Sequence, residues 1–211
     1  MTRHILIADD HPIVRRGLAA VVSEAFDSVQ LTSVATAQEA LDQVRLRAWD
    51  VVVLDITLPD KSGLDVLKEI KLLRTTQPVL MLSFHEEAQY ALRSLKAGAA
   101  GYLTKESATD EIVNALVAIF KGGKYVTQTL AERLAFDLEG KSAGEPYDVL
   151  SDREYEVLRL FAQGKTLSDI ADHLALSVKT VSTYRARLLQ KLQLKTTAQL
   201  IRYALERKLV E

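Results

Sequence analysis

The segment DVVVLDITLP, residues 50–59, decides the fold of the first half of the chain, because its uninterrupted apolar run ends on Asp55. The segment RHILIADD, residues 3–10, follows the same pattern and ends on Asp9 and Asp10. Short β-branched runs without polar alternation are typical of parallel strands that are buried on both faces. We therefore expect these three carboxylates at the carboxyl ends of two buried strands.

Strand-like and helix-like segments alternate five times over residues 4–120. Strands are predicted at His4–Ala8, Val29–Val34, Val51–Leu54, Val79–Leu82 and Gly101–Leu103. Helices are predicted near 12–25, 36–48, 62–73, 86–97 and 108–120. Five βα units of this size predict an α/β domain with a doubly wound, five-stranded parallel sheet and helices on both faces.

Composition narrows the classes of protein to which the chain could belong. Its 211 residues suffice for one large domain or two small ones, and a hydrophobic content of 48% allows a sizeable core. The absence of cysteine excludes disulfides and thiolate metal sites and fits a reducing compartment. No apolar run approaches the roughly 20 residues of a membrane helix, and the amino-terminal segment does not resemble a secretory signal. We expect a soluble, cytoplasmic protein without a membrane partner.

The net charge of −1 conceals a difference between the two parts of the chain. Residues 1–149 contain 16 Lys and Arg against 21 Asp and Glu, whereas residues 150–211 contain 11 against 7. A modestly basic carboxyl-terminal part indicates a polyanionic partner for that part alone.

The second part of the chain has a different organisation. A helix predicted near 127–138 leads into EGKSAGEPYD, residues 139–148, whose glycines, serine and proline predict a flexible tether. All-α helices are predicted near 152–163, 167–174, 178–192 and 197–207, and Ser151 with Glu154 forms a capping box at the start of the first. The predicted boundaries are a first domain at 1–122, a linker helix and tether at 123–148, and a four-helix domain at 149–211.

The predicted parallel sheet brings several polar side chains to one edge. Ligands of such open sheets bind beyond the carboxyl ends of the strands, where Asp9, Asp10, Asp55, Ser83 and Lys105 would meet. Clustered carboxylates repel one another unless a cation lies between them, and a hard cation such as Mg²⁺ or Mn²⁺ fits. A carboxylate can attack phosphorus, and a nearby lysine and metal would balance the charge of the transferred oxygens.

Each of these residues also has an ordinary structural interpretation. Asp10 could cap the helix that is entered at Pro12, Lys105 could be a solvated surface lysine, and Ser83 could be a simple strand-end hydroxyl. Their joint occurrence at four strand ends favours a site for phosphate chemistry.

The segment TLSDIADHLALSVKTVSTYRARLLQKL, residues 166–192, has the layout of a helix-turn-helix. At about 100° per residue, one side of its second helix collects apolar residues: Val178, Val181, Leu188, Leu189 and Leu192. The opposite side collects mostly polar ones: Lys179, Thr183, Ala186, Arg187 and Gln190. Such a helix can enter a major groove, although a solvated face of a structural helix would show the same pattern.

Four segments resemble the receiver domain of bacterial two-component response regulators, which has a flavodoxin-like fold. They are ILIADDHPIVRRGL, DVVVLDITLPDKSGLDVL, MLSF and AGAAGYLTKE, at residues 5–18, 50–67, 81–84 and 97–106. The later half resembles a LuxR-type helix-turn-helix through its SxKTV…KL pattern. The chain as a whole, over 4–207, resembles a NarL/FixJ-type response regulator.

The resemblance implies a role for each matching residue of the first half. Asp55 would accept a phosphoryl group from a sensor histidine kinase, and Asp9, Asp10, Asp55 and the Thr57 carbonyl would hold Mg²⁺ or Mn²⁺. Ser83 and Tyr102 would be the switch residues, Lys105 would bind the phosphate, and Pro59 and Gly63 would shape the acceptor loop. Tyr102 has the alternative of being simply packed. The protein would undergo phosphorylation and slow self-dephosphorylation without being a turnover enzyme.

For the second half, the resemblance implies a DNA-binding transcription regulator. Ser182, Thr183 and Ala186 would read the groove, Lys179 and Arg187 lie nearby, and Arg185 would extend from the apolar side to a phosphate. The helix near 197–207, with Ala198, Ile201, Ala204 and Leu205 at helical spacing, is either core or a dimer seam. The implied partners are double-stranded DNA, a second copy upon phosphorylation and, as a candidate, RNA polymerase.

Two alternatives and one departure from the family pattern accompany this interpretation. An aspartate-nucleophile phosphatase of the haloacid-dehalogenase type would carry a second carboxylate where this chain has Thr57. A regulator controlled by protein partners would use the same DNA-binding half without phosphorylation. Phe84 stands where receivers more often carry a smaller residue, so we expect restricted access to the phosphoryl group and slower phosphoryl turnover.

Overall fold

The computed structural model describes residues 2–84, 88–128, 130–132, 150–174, 176–207 and 209. The chain forms two compact units, Met1–Glu139 and Gly140–Glu211, which are described separately. Within the described residues, no helix combines the length and the apolar composition required to cross a membrane.

The first unit is an α/β unit with a five-stranded sheet. Its strands are β1 Arg3–Ala8, β2 Val29–Val34, β3 Val51–Asp55, β4 Val79–Ser83 and β5 Gly101–Thr104. Its helices are α1 Pro12–Ala25, α2 Ala37–Leu46, α3 Gly63–Leu73, α4 Ala88–Lys96 and α5 Lys105–Phe120. All strands pair in parallel in the order β2-β1-β3-β4-β5. The strand order reverses at β1, which lies between β2 and β3, so the predicted doubly wound sheet is confirmed.

Burial explains why the strands were recognisable. Every residue of β3 and β4 is buried, as an uninterrupted apolar run in a two-faced sheet requires. Alternate strand residues such as Ile5, Val53 and Leu82 form one core with the inner faces of α1 and α5. The predicted strands end within one residue of the observed ones. Helix α5 begins earlier than predicted, because the Thr104 hydroxyl caps it by accepting the Ser107 N–H.

The second unit is helical. Its described helices are α6 Asp152–Ala162, α7 Leu167–His173, α8 Val178–Lys191 and α9 Thr197–Glu206. The predicted capping box of Ser151 and Glu154 is present. Glu154 is buried, and its Oε2 lies 2.7 Å from Lys191 Nζ, so an ion pair joins the start of α6 to the end of α8.

Much of the predicted connection between the domains lies outside the described residues. Of the helix predicted near 127–138, only 127, 128 and 130–132 are described; 128 and 130–132 are helical, and 127 precedes the helix. The predicted tether at 139–148 lies outside the described residues. The division into domains at 1–122, 123–148 and 149–211 stays a prediction.

Candidate phosphate site and nucleic-acid interface

The carboxyl ends of the central strands carry the polar side chains expected there. Asp9 follows β1 directly, Asp55 ends β3, Ser83 ends β4, and Lys105 begins α5 immediately after β5. Asp9, Asp55, Ser83 and Lys105 are all buried. The sheet therefore brings together residues that are as far as 96 positions apart in the sequence.

One buried lysine is shared by two buried carboxylates. Lys105 Nζ lies 2.7 Å from Asp9 Oδ2 and 2.6 Å from Asp55 Oδ2, and its side chain is only 1% exposed. This excludes the interpretation of Lys105 as a solvated surface lysine. Two carboxylates against one ammonium leave the pocket with excess negative charge, provided that both acids are ionised.

Asp55 has a higher pKa than an ordinary aspartate. Burial raises its pKa from 3.8 to about 6, Lys105 opposes this rise, and the neighbouring Asp9 carboxylate adds to it. The Thr57 N–H donates to Asp55 Oδ1 at 3.1 Å, which fixes one oxygen and leaves Oδ2 beside Lys105. The carboxylate is ionised at neutral pH but remains poorly solvated, as suits a nucleophile.

The same residues fit a divalent cation. Within the described residues, one group of candidate ligand atoms lies within 4.8 Å of one another: Asp9, Asp10, His11 and Asp55. Asp10 is half-buried and pairs with His11, whose Nδ1 lies 2.6 Å from its Oδ1. His11, and not Asp10, is the N-cap of α1, so the capping interpretation of Asp10 is wrong. Carboxylate oxygens in a pocket of excess negative charge are the donor set that Mg²⁺ prefers.

The loop after β3, residues 56–62, is held in place by two sets of hydrogen bonds. The Gly63 N–H donates to Ile56 O at 2.7 Å, and a Cβ on Gly63 would collide with the backbone carbonyl of Asp55. Within the loop, the Asp60 carboxylate accepts the N–H groups of Ala37 and Gln38 at 2.8 and 2.9 Å, and so caps α2. Sequence reasoning missed Asp60, because a cap supplied from another segment leaves no local pattern.

Two aromatic residues near the pocket differ in exposure. Phe84 is 49% exposed, and its ring centroid lies 4.4 Å from Lys105 Nζ and 5.2 Å from the His11 ring. Tyr102 on β5 is buried at 3% exposure, opposite Met81 of β4. Sequence reasoning anticipated that Phe84 would lie at the pocket but missed His11, whose ring joins Asp10 to Phe84.

In the second unit, α7 and α8 form the predicted helix-turn-helix pair. Five residues that were predicted to lie opposite the apolar side of α8 are exposed: Lys179, Thr183, Ala186, Arg187 and Gln190. Ser182 and Arg185 are half-buried at the border of this face. The Thr183 hydroxyl donates to the Lys179 carbonyl at 3.0 Å.

The predicted apolar faces of α8 and α9 are buried only in part. Val178 is 47% exposed, whereas Val181, Leu188 and Leu192 are buried, because the first residue of α8 precedes the turn that packs inward. In α9 the buried residues are Leu200 and Ala204, while Ala198 and Leu205 are exposed. Ala204 of the predicted face is therefore core, and the dimer seam that was the alternative for this face stays a prediction.

Comparison with known proteins matches both units. The family model "Response regulator receiver domain" matches residues 5–117, and "Bacterial regulatory proteins, luxR family" matches residues 148–204. The transcriptional regulatory protein MctR of Rhizobium johnstonii is 38% identical, over 98% of this chain and 94% of its own. The oxygen regulatory protein NreC of Staphylococcus epidermidis is 34% identical, over 98% of this chain and 99% of its own.

A similar solved structure is that of RcsB from Salmonella enterica serovar Typhimurium, bound to a promoter in the presence of the phosphomimetic BeF₃⁻. It is 25% identical, with a TM-score of 0.61 over 96% of this chain and 98% of that chain. These matches favour a regulator over the phosphatase alternative. The chain belongs to the NarL/FixJ-type response regulators, with a receiver domain followed by a LuxR-type DNA-binding domain.

Proposed function

We propose that the protein is a transcription factor whose affinity for DNA is controlled by Mg²⁺-dependent phosphorylation of Asp55 by a sensor histidine kinase. The observation that carries the proposal is the shared ion pair of Lys105 with Asp9 and Asp55 at the carboxyl edge of the sheet. This arrangement presents one poorly solvated nucleophile beside a fixed cation and a group of acidic ligands.

The proposed transfer uses the side chains of the pocket in distinct roles. Asp9, Asp10, Asp55 and the Thr57 carbonyl would hold Mg²⁺ or Mn²⁺, which supplies positive charge to the phosphoryl oxygens. Asp55 Oδ attacks the phosphorus of a phosphohistidine, the P–N bond breaks, and the imidazole retains the electron pair. As the Asp55 carboxylate loses its negative charge, the Lys105 ammonium pairs with a phosphoryl oxygen instead. The Ser83 hydroxyl donates to another phosphoryl oxygen.

Phosphorylation would then be converted into a change at the surface of the first unit. Ser83 moves toward the phosphoryl group, and Tyr102 fills the volume that this movement vacates. The surface near α4 and α5 changes, which either frees the recognition helix or favours a homodimer. Hydrolysis of the acyl phosphate without a partner would return the chain slowly to its starting state.

On the DNA side, the exposed face of α8 would lie in the major groove. Lys179, Arg187 and the half-buried Arg185 meet phosphates, while Ser182, Thr183 and the Ala186 methyl approach base edges. A symmetric dimer would read two half-sites, and the RcsB complex with a promoter supports DNA as the partner. RNA polymerase, encountered in the cytoplasm at the bound promoter, is a further proposed partner.

The test compares wild type with Asp55→Asn in the presence of acetyl phosphate and Mg²⁺. A duplex is first selected from random DNA by the phosphorylated wild-type protein. We expect wild type to incorporate a phosphoryl group and to bind this duplex more tightly, and Asp55→Asn to do neither. DNA affinity that is equal with and without the donor would contradict the proposal and would favour a regulator controlled by protein partners.

A further inference from the structure

The outer side of β5 is occupied by the chain's own continuation beyond α5. We call residues 124–126 the strap. Tyr125 forms a parallel bridge with Gly101, its N–H donates to Ala100 O at 2.8 Å, and its carbonyl accepts the Tyr102 N–H at 3.2 Å. The backbone of the proposed switch residue is therefore hydrogen-bonded directly to the strap.

The turn before the strap is built to return the chain to the sheet. Gly122 has a φ of +79°, in the left-handed region that favours glycine, and its N–H donates to Ile119 O at 2.9 Å. The Gly123 N–H donates to Ala118 O at 3.0 Å. These bonds close the carboxyl end of α5 and direct the chain back along β5.

The contact between the strap and β5 requires a glycine on the strand. A Cβ on Gly101 would lie 2.6 Å from Tyr125 O and 3.0 Å from Leu80 Cδ1. The neighbouring Leu80 is fully buried, so the carbonyl of the strap would have to yield. The close approach of the strap to β5 therefore requires glycine at position 101, in addition to the residues that the sheet itself requires.

The side chain of Tyr125 adds a second attachment. Its hydroxyl donates to Glu111 Oε2 on α5, and its ring packs against the core of the first unit. Burial and the Glu111 carboxylate raise the pKa of Tyr125 to about 12, so its hydroxyl keeps its proton at neutral pH. Tyr125 thus joins β5, α5 and the segment that leads to the second unit.

We propose that the strap transmits the switch of the receiver, with Tyr125 as a positioning residue that passes movement of Tyr102 to the chain that follows the strap. A shift of the Tyr102 backbone pulls on the Tyr125 carbonyl, and the bond to Glu111 makes the strap move as one piece with α5. This inference rests on the proposed function, since it assigns the route by which phosphorylation of Asp55 reaches the DNA-binding unit.

The experiment uses the full chain and two variants of the strap contact. Gly101→Ala pushes the Tyr125 carbonyl away from β5, and Tyr125→Phe removes only the bond to Glu111. Ile119→Val, which shortens a buried side chain of α5 and removes no hydrogen bond of the strap, is the control for lost stability. For each protein, phosphoryl uptake from acetyl phosphate with Mg²⁺ is measured alongside affinity for the selected duplex.

We expect all three variants to take up phosphoryl groups at the wild-type rate. In wild type and Ile119→Val, phosphorylation should change DNA affinity about 5- to 150-fold, the usual range for coupled sites. In Tyr125→Phe this change should shrink by about threefold, and in Gly101→Ala by more. Strap variants that switch as fully as wild type overturn the inference and leave the proposed function standing.

Hydrogen exchange provides a second measurement that does not depend on DNA. Phosphorylation of wild type should alter exchange at the Tyr102 and Tyr125 amides, both of which are hydrogen-bonded in the strap contact. Exchange that is unchanged at both amides while Asp55 is phosphorylated also overturns the inference. If wild type takes up no phosphoryl group, the proposed function fails, and this inference fails with it.

Discussion

The acidic pocket of the first unit and the outer face of α8 in the second differ in how far their charged side chains are exposed to solvent. In the pocket, Asp9, Asp55 and the Lys105 side chain are almost fully buried and held at fixed distances. On α8, Lys179 and Arg187 are exposed. The difference follows from the tasks proposed for them. Attack on phosphorus benefits from a desolvated, fixed nucleophile, whereas attraction to a polyanion needs cations that can displace its counterions.

The two arrangements should differ in their effect on stability. Burying a charge is costly unless it is paired, so each member of the pocket depends on the others. Exposed cations of α8 stay hydrated in the free protein and contribute little to folding. We therefore expect large stability changes from substitutions in the pocket and small ones from substitutions on α8.

The largest expected effect comes from Lys105→Ala. Loss of its ammonium leaves Asp9 and Asp55 facing each other in a buried site, and the free energy of unfolding should fall by about 3–5 kcal/mol. Arg187→Ala, the matched removal of an exposed cation, should change it by less than about 0.5 kcal/mol. Urea unfolding at pH 7.5 measures both. Equal losses of unfolding free energy in the two variants would show that the buried and the exposed cation contribute alike to stability.

The next effect is the pH dependence that Asp55 imposes on stability. Its folded pKa of about 6 lies above its ordinary 3.8, so its contribution is fully favourable below pH 3.8 and is lost as pH rises through 6. Without Mg²⁺, the stability of Asp55→Asn relative to wild type should therefore grow by about 1–2 kcal/mol between pH 5 and pH 7.5.

Thermal unfolding with global fitting over this pH range tests the sign. Mg²⁺ should raise the melting temperature of wild type more than that of Asp55→Asn, because the ion offsets the repulsion between the carboxylates. If the stability of Asp55→Asn relative to wild type decreased toward pH 7.5, the Asp55 carboxylate would be better solvated than its burial indicates.

On α8, the expected change concerns binding and its dependence on salt. Arg187→Ala should weaken binding to all duplexes alike by about 1 kcal/mol and lower the slope of log affinity against log salt by about 1. Arg202→Ala, which removes an exposed cation from α9, is the control and should leave the slope unchanged. Fluorescence anisotropy between 50 and about 200 mM salt measures both. A slope that is unchanged in Arg187→Ala would remove this residue from the interface.

The smallest expected effect concerns Phe84, the exposed residue that lies over the buried pocket. Its ring lies 4.4 Å from the Lys105 ammonium and shields the pocket, so Phe84→Ala should admit water and shorten the lifetime of the acyl phosphate about two- to fivefold. The lifetime is measured as phosphate release from protein labelled with acetyl phosphate. Phe84→Leu, which keeps much of the volume of the side chain, should have a lifetime between those of wild type and Phe84→Ala. Identical lifetimes in the three proteins would exclude a shielding role for Phe84.

Several features of the molecule could be derived from local sequence. The strand that ends on Asp55 was recognisable because burial on both faces demands an unbroken apolar run. Its partner strand ending before Asp9 follows the same rule. The exposed face of α8 was recognisable because helical periodicity separates Lys179, Thr183 and Arg187 from the apolar side.

Other features were set by contacts between distant segments, which leave no periodic pattern. Sequence left Lys105 open to being a surface lysine, and only packing against β1 and β3 made it the shared partner of two acids. Asp60 caps a helix that begins 23 residues before it. Val178 has the right spacing to be buried, yet it is 47% exposed, because spacing alone does not specify which turns of a helix are covered by the rest of the unit.

Sequence by itself determined which segments become strands and helices and which carboxylates stand at strand ends, because those properties depend on neighbours along the chain. Tertiary structure alone decided which charges are desolvated, which ion pairs form and that the chain returns to bind β5 through Tyr125. The physical reason is that solvation and hydrogen-bond partners depend on what covers a residue in space, and that covering comes from distant parts of the chain.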